Sequence, residues 1–237
     1  MRVKICGIRD PEQGRAIAHL GATAIGFICV SKSPRYVTAS DIRTVVDVLP
    51  VDDAQNPVID RVGVFVDADI DDIQRTVEVG RLNVVQLHGN ESPDRCRRIR
   101  TALPSVEVIK AFRVRSPETL KDIQAFTDDV DSFLLDAYHP HMMGGTGQTL
   151  NWADIAAFKS DRPWFLAGGL TPNNVADAVT RLKPDGIDLS SGVERSPGDK
   201  DLQKVAALFQ QLDQYCPPAT STPLFQIISR NNDDHQA

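Results

Sequence analysis

Short apolar, β-branched runs recur along the chain, each followed by a turn and then a stretch whose apolar positions fall three or four residues apart. Eight runs are predicted as strands: 2–6, 23–29, 60–66, 84–88, 107–112, 132–137, 164–168 and 186–190. Several are apolar almost throughout, as in Val62-Gly63-Val64-Phe65-Val66 and Phe133-Leu134-Leu135. That is the pattern of strands covered on both faces. The intervening helices carry stripes at helical spacing: Ile70, Ile73 and Val77; Cys96, Ile99 and Leu103; Leu202, Val205, Ala206 and Phe209. Their starts are marked by Asp10-Pro11, Ser92-Pro93, Ser116-Pro117 and Thr171-Pro172, each a capping side chain before a proline at the first helical position. Asp10 also has Gln13 three residues on, the spacing of a capping box.

Parallel strands need crossover helices, and eight strand–helix units close a barrel. An open doubly wound sheet would usually show G-x-G-x-x-G after its first strand, whereas the first turn here reads Cys6-Gly7-Ile8-Arg9-Asp10. The expectation is one α/β domain, a (β/α)8 TIM barrel over residues 1–215. Residues 216–237 open on Pro217-Pro218, end in a polar run and read as a disordered tail, although Leu224, Phe225, Ile227 and Ile228 could dock.

Composition narrows the function. With 237 residues, 41% of them hydrophobic, there is apolar material for one large core. A net charge of −6 argues against nucleic acid or an anionic membrane as partner, so an anionic ligand would need local cations and backbone N–H groups. No apolar run approaches the ~20 residues that cross a bilayer, and Met1-Arg2-Val3-Lys4 leads directly into a strand. Cys6, Cys29, Cys96 and Cys216 are scattered without CxxC pairs, which suits a reducing, cytoplasmic setting.

In such a barrel the chemistry gathers at the C-terminal ends of the strands, with phosphate between the loops after strands 7 and 8. Those loops read Gly168-Gly169-Leu170 and Asp188-Leu189-Ser190-Ser191-Gly192, whose glycines let backbone approach an anion. Lys4 and Cys6 share a face at the end of strand 1, where Lys4 could favour the thiolate. Cysteine is also a common small core residue, and Cys29, Cys96 and Cys216 keep that reading. Asp136 closes an apolar strand and precedes a long loop, 138–149, whose Gly144-Gly145-Thr146-Gly147 suits closure over a substrate. Gln86 and His88 share a face of strand 4 and are candidate pocket hydrogen-bonding groups. Arg35, after the rigid Ser33-Pro34, is suited to a planar carboxylate. His139-x-His141 with His88 hints at a metal, but further ligands are missing, so no metal is expected.

Taken together these segments resemble the phosphoribosylanthranilate isomerase family, a barrel enzyme of tryptophan synthesis. The matching residues are Lys4-Ile5-Cys6-Gly7-Ile8, Gly26-Phe27-Ile28 with Ser33-Pro34-Arg35-Tyr36-Val37, Val62-Gly63-Val64-Phe65-Val66, and Gln86-Leu87-His88-Gly89. They continue through Leu135-Asp136-Ala137 with the GGTG loop, Leu166-Ala167-Gly168-Gly169-Leu170, and Asp188-Leu189-Ser190-Ser191-Gly192-Val193-Glu194 with Pro197-Gly198. The resemblance implies an Amadori rearrangement of N-(5-phosphoribosyl)anthranilate without a cofactor. It makes Asp136 the general acid, Cys6 the general base and Arg35 the anchor of the anthranilate carboxylate. The Gly168-Gly169 and Ser190-Ser191-Gly192 loops would hold the phosphate. The partner is then a small phosphosugar, and the sequence leaves monomer and homodimer open. Gln148-Thr149-Leu150-Asn151-Trp152 departs from the family pattern, which often has an aromatic and an Asp there.

Other readings fit less well. A pentose-phosphate epimerase barrel would want metal-binding His and Asp residues on several strands, and a sugar-imidazole isomerase would want paired half-barrels. A catalytically silent scaffold would be free to lose Cys6, Asp136 and Arg35.

Overall fold

The computed structural model describes residues 1–54, 56–114, 117–137 and 152–213. Strands and helices alternate from the start: β1 (Arg2–Cys6), α1 (Pro11–His19), β2 (Ala24–Ile28), α2 (Ala39–Val46), β3 (Asp60–Phe65), α3 (Ile70–Gly80), β4 (Val84–Leu87) and α4 (Pro93–Ala102). The second half runs β5 (Glu107–Arg113), α5 (Pro117–Asp122), β6 (Ser132–Asp136), α6 (Trp152–Ala156), β7 (Trp164–Ala167), α7 (Val175–Leu182) and β8 (Gly186–Leu189). A 3-10 turn (Ser191–Val193) and a small hairpin of β9 (Glu194–Ser196) and β10 (Asp199–Lys200) lead into α8 (Leu202–Leu212). All eight main strands are parallel, and β1 pairs with β8 from Arg2↔Gly186 to Ile5↔Leu189. The sheet is therefore a closed (β/α)8 barrel.

Alternation along each strand builds two cores. One set of side chains, including Val3, Ile5, Ile25, Phe27, Val85, Leu87, Phe133 and Leu135, packs outward against Ile17, Ile42, Ile73, Ile99, Val179 and Val205 of the helices. The other set, Ala24, Val62, Val84, Ile109, Ala111, Leu134, Phe165 and Ala167, fills the barrel itself. Both faces being apolar explains the near-continuous hydrophobic runs.

The N-terminal end of the barrel is closed by charge. Arg2 donates through Nη1 to Glu107 at 2.8 Å and through Nη2 to Asp60 at 2.6 Å. Ser132 adds a hydrogen bond to Glu107, and the Arg2 guanidinium lies 4.9 Å from the Phe165 ring centre. Burial opposes the Arg2 charge, but Glu107 and Asp60 outweigh it and hold the guanidinium well above its ordinary value.

Local signals mostly decide the helix ends. Asp10 accepts from the Gln13 N–H at 2.8 Å and Ser92 from the Arg95 N–H at 3.2 Å. The Asp10 box stays half made, because the Gln13 side chain turns to Asp199 and to the Lys200 N–H. A complete box forms at α2, between Thr38 and Asp41. Thr171-Pro172 does not open α7, which starts at Val175. The Thr171 carbonyl instead takes the N–H groups of Asn174 and Val175, while the Asn174 side chain accepts the Thr171 N–H, so those residues form a turn beside the cavity. On α8 the buried face is Val205, Leu208 and Leu212, and Leu202, predicted in the core stripe, is 37% exposed at the first turn. Ser116, the 138–149 loop and the 216–237 tail lie outside the described residues.

Candidate active site

The C-terminal ends of the strands surround an open cavity of about 240 Å³. Every site residue predicted from the sequence lines it: Cys6 from β1, Arg35 after β2, Gln86 and His88 from β4, and Asp136 from β6. Gly168 and Gly169 after β7, with Asp188, Ser190, Ser191 and Gly192 of β8 and its loop, complete the wall. His139 and His141 lie outside the described residues. Among the described residues no three His, Cys, Asp or Glu side chains come together as a metal site would need.

Cys6 is buried beside Lys4, but Lys4 is not simply its activator. The Lys4 Nζ donates to Asp188 Oδ2 at 2.8 Å within the barrel. Burial opposes the Lys4 charge, yet Asp188 and Cys6 outweigh it and raise the ammonium above its ordinary value. Burial pushes the Cys6 thiol up; Lys4 and Lys200 pull it down, and Asp188 pushes it further up. The sequence expectation for Lys4 thus has the right sign, but desolvation outweighs it.

Across the barrel, the Gln86 amide nitrogen lies 3.1 Å from His88 Nδ1. With the amide as donor, Nδ1 accepts and the ring hydrogen sits on Nε2, 3.5 Å from Asp136 Oδ2. His88 thereby faces Asp136 while Gln86 fixes the ring. Gln86 Oε1 and Asp188 Oδ1 are buried acceptors without a hydrogen-bond partner among the described residues. In a cavity wall such atoms are favourable sites for ligand hydroxyls.

The edge of the cavity after β7 and β8 is built largely from backbone. Gly168 and Gly169 adopt φ of 95° and 66°, a region that L side chains seldom enter. A Cβ on Gly192 would fall 1.9 Å from the Leu170 carbonyl oxygen, so the loops after β7 and β8 touch main chain to main chain. The turn Ser191–Val193 begins here, and the leading N–H groups of such a turn have no partner within it. Ser190 Oγ donates to the Cys6 carbonyl at 3.1 Å, tying the loop after β8 to the end of β1.

Arg35 differs from the simple picture of a free fork. Its Nε and Nη2 donate to the two oxygens of Glu194 at 2.9 and 2.6 Å. Glu194 in turn accepts from Lys200 Nζ at 2.7 Å and from the Gly198 N–H at 3.1 Å. Glu194 and Lys200 were not among the predicted site residues. Their signal was faint: opposite charges flanking Pro197-Gly198, a pattern shared by any solvated hairpin.

Fold and cavity together define a (β/α)8-barrel enzyme whose site occupies the C-terminal face of the strands. Residues 3–211 match the family model for N-(5'-phosphoribosyl)anthranilate (PRA) isomerase. The N-(5'-phosphoribosyl)anthranilate isomerase of Gloeothece citriformis is 54% identical over 215 residues, covering 91% of this chain and 95% of that one. The crystal structure of phosphoribosyl anthranilate isomerase from Thermotoga maritima is similar at a TM-score of 0.79 and 35% identity, over 90% of this chain and 99% of that one. A further phosphoribosyl anthranilate isomerase, solved in complex with reduced 1-(o-carboxyphenylamino)-1-deoxyribulose 5-phosphate, has a TM-score of 0.75 at 33% identity, covering 90% of this chain and 99% of that one. The chain belongs to the phosphoribosylanthranilate isomerase family, and its activity is the isomerase step of tryptophan biosynthesis.

Proposed function

We propose that this chain converts N-(5-phosphoribosyl)anthranilate to 1-(2-carboxyphenylamino)-1-deoxyribulose 5-phosphate by an acid–base pair, Asp136 and Cys6. The observation that carries the reading is that a carboxyl from β6 and a thiol from β1 line one cavity, with two glycine-rich loops at its edge.

Asp136 gives its proton to the furanose ring oxygen. The C1′–O bond breaks towards that oxygen, and the amine lone pair forms the C1′=N bond of a protonated Schiff base. Cys6, as thiolate, removes the C2′ proton. The C–H electron pair becomes C1′=C2′, and the C=N pair returns to nitrogen, giving an enolamine. Loss of the C2′ hydroxyl proton and protonation of C1′ then deliver the ketone. The iminium acidifies the C2′ proton, so a thiolate is an adequate base. Its positive charge also favours the thiolate, which burial disfavours.

His88, held by Gln86, faces Asp136 and steadies the carboxyl for the ring oxygen. Gln86 Oε1 and Asp188 Oδ1 accept sugar hydroxyls, Gly168, Gly169, Ser190, Ser191 and Gly192 receive the phosphate, and Arg35 binds the aromatic carboxylate. These roles are supported by the lining of the cavity and by the orphaned acceptors.

Acid and base catalysis each supply about 10²–10⁴-fold. Cys6→Ala and Asp136→Asn are each expected to lose activity in that range while still binding a product analogue. The assay follows loss of substrate fluorescence, with phosphoribosylanthranilate made in situ from anthranilate and the activated ribose phosphate, chelator present. Near-normal turnover by either variant would remove that residue from its role.

A further inference from the structure

Arg35 enters the cavity already gripped. The bonds to Glu194 use Nε and Nη2, which leaves Nη1 as the nitrogen for a ligand. Free in water, an arginine of this length samples many rotamers; here the paired contacts to a buried carboxylate fix the guanidinium plane. Glu194 is itself held on the hairpin of β9 and β10 by Gly198 and Lys200, and its side chain is 4% exposed.

A lone Arg35–Glu194 pair would present no net charge to an incoming carboxylate. Lys200 changes that balance. Its side chain is fully buried, and Nζ sits 2.7 Å from Glu194 Oε1 and 3.4 Å from the Ser190 carbonyl. Two cations around one carboxylate leave a single positive charge, and only Arg35 of the three lines the cavity.

We propose that Glu194 and Lys200 are positioning residues that set selectivity for a carboxylate-bearing aromatic amine: Glu194 fixes the plane of Arg35, and Lys200 offsets the charge of Glu194. This deepens, and rests on, the assignment of Arg35 to the substrate carboxylate. Neither residue touches the ligand. Selection of the aromatic acid is therefore governed from a hairpin behind the site.

The test compares two ligands, reduced 1-(2-carboxyphenylamino)-1-deoxyribulose 5-phosphate and its phenylamino counterpart without the ring carboxylate. Binding is measured by calorimetry for the wild type, Arg35→Gln, Glu194→Gln and Lys200→Met. A charge-assisted hydrogen bond corresponds to about tenfold to a hundredfold in affinity. Lys200→Met, which leaves the Glu194 charge without its offset, is expected to weaken the carboxylate ligand by about that factor. Glu194→Gln, which loosens the Arg35 plane but also removes the opposing charge, is expected to weaken it by less. Both should change the other ligand by less than about twofold. Both variants should raise KM more than they lower kcat. Equal weakening of both ligands would mean that the hairpin merely holds the phosphate loop, and the proposal falls. If Arg35→Gln separates the ligands but the hairpin variants do not, the proposal alone fails. If Arg35→Gln does not separate them, the assignment of Arg35 fails first. Should Glu194→Gln not fold, Lys200→Met reads the same contrast with Glu194 still in place.

Discussion

Glu194 shows how burial and charge compete at one residue. Burial alone would raise its carboxyl, but the hydrogen bonds from Arg35 and Lys200, the Lys200 charge and the Gly198 N–H outweigh it and hold the carboxyl down at about 2. In the unfolded chain the same carboxyl titrates near its ordinary value of about 4.3. The contribution is therefore complete above about pH 4.3 and is lost as pH falls through about 2. A shift of this size corresponds to roughly 3 kcal/mol at neutral pH. Urea unfolding of the wild type should thus lose stability between those pH values, and Glu194→Gln should lack that part of the slope. Parallel pH curves for the two would contradict the network. Its role was not legible in the sequence: Glu194 falls in the stretch that resembles the family, but nothing in that stretch shows that the side chain is buried and paired with Arg35. The places of Cys6 and Asp136 in the cavity wall were legible for the opposite reason: each stands at the C-terminal end of a strand, Asp136 directly after the apolar Phe133-Leu134-Leu135.

At the level of elements, proline and capping signals work where the chain has no competing use for them. Asp10 and Ser92 cap α1 and α4 as their spacing predicts. Thr171-Pro172 carries the same signal, but there the backbone forms the turn after Gly168-Gly169, and the helix begins three residues later. Gln13 is drawn from the capping box towards Asp199 and Lys200, so α1 is pinned to the hairpin behind Arg35. Asp10→Ala should cost about 1 kcal/mol in denaturant unfolding, the ordinary loss of one cap. A loss beyond about 2 kcal/mol would show that the cap also supports the hairpin through Gln13. Several strands were readable from both-face apolarity, β7 among them, whereas β1, β4 and β8 carry Lys4, Gln86 and Asp188 among their apolar positions. Leu202 was misread because helical spacing alone does not say where the buried face begins, and the first turn of α8 overhangs the core.

Over the whole molecule, stability and chemistry occupy opposite ends of the barrel. The Arg2, Asp60 and Glu107 cluster closes the N-terminal end, while the cavity opens at the other. Arg2→Met leaves two buried carboxylates without their cation, and breaking such a cluster costs about 3–5 kcal/mol. The variant should unfold at lower urea yet keep its turnover per folded molecule. A comparable fall in kcat for fully folded protein would show that the two ends are coupled.

The seam between β1 and β8 has a consequence in time. Lys4 meets Asp188 across 184 positions of sequence, so the cavity floor joins the first strand to the last. On a ribosome, which releases the chain from its N-terminus, β1 emerges long before its partner. β2 can pair with one edge of β1 early, but the other edge stays open until β8 appears, and only then does Lys4 meet Asp188 and the ring shut. A nascent chain stopped short of β8 would expose that edge of β1 to other chains.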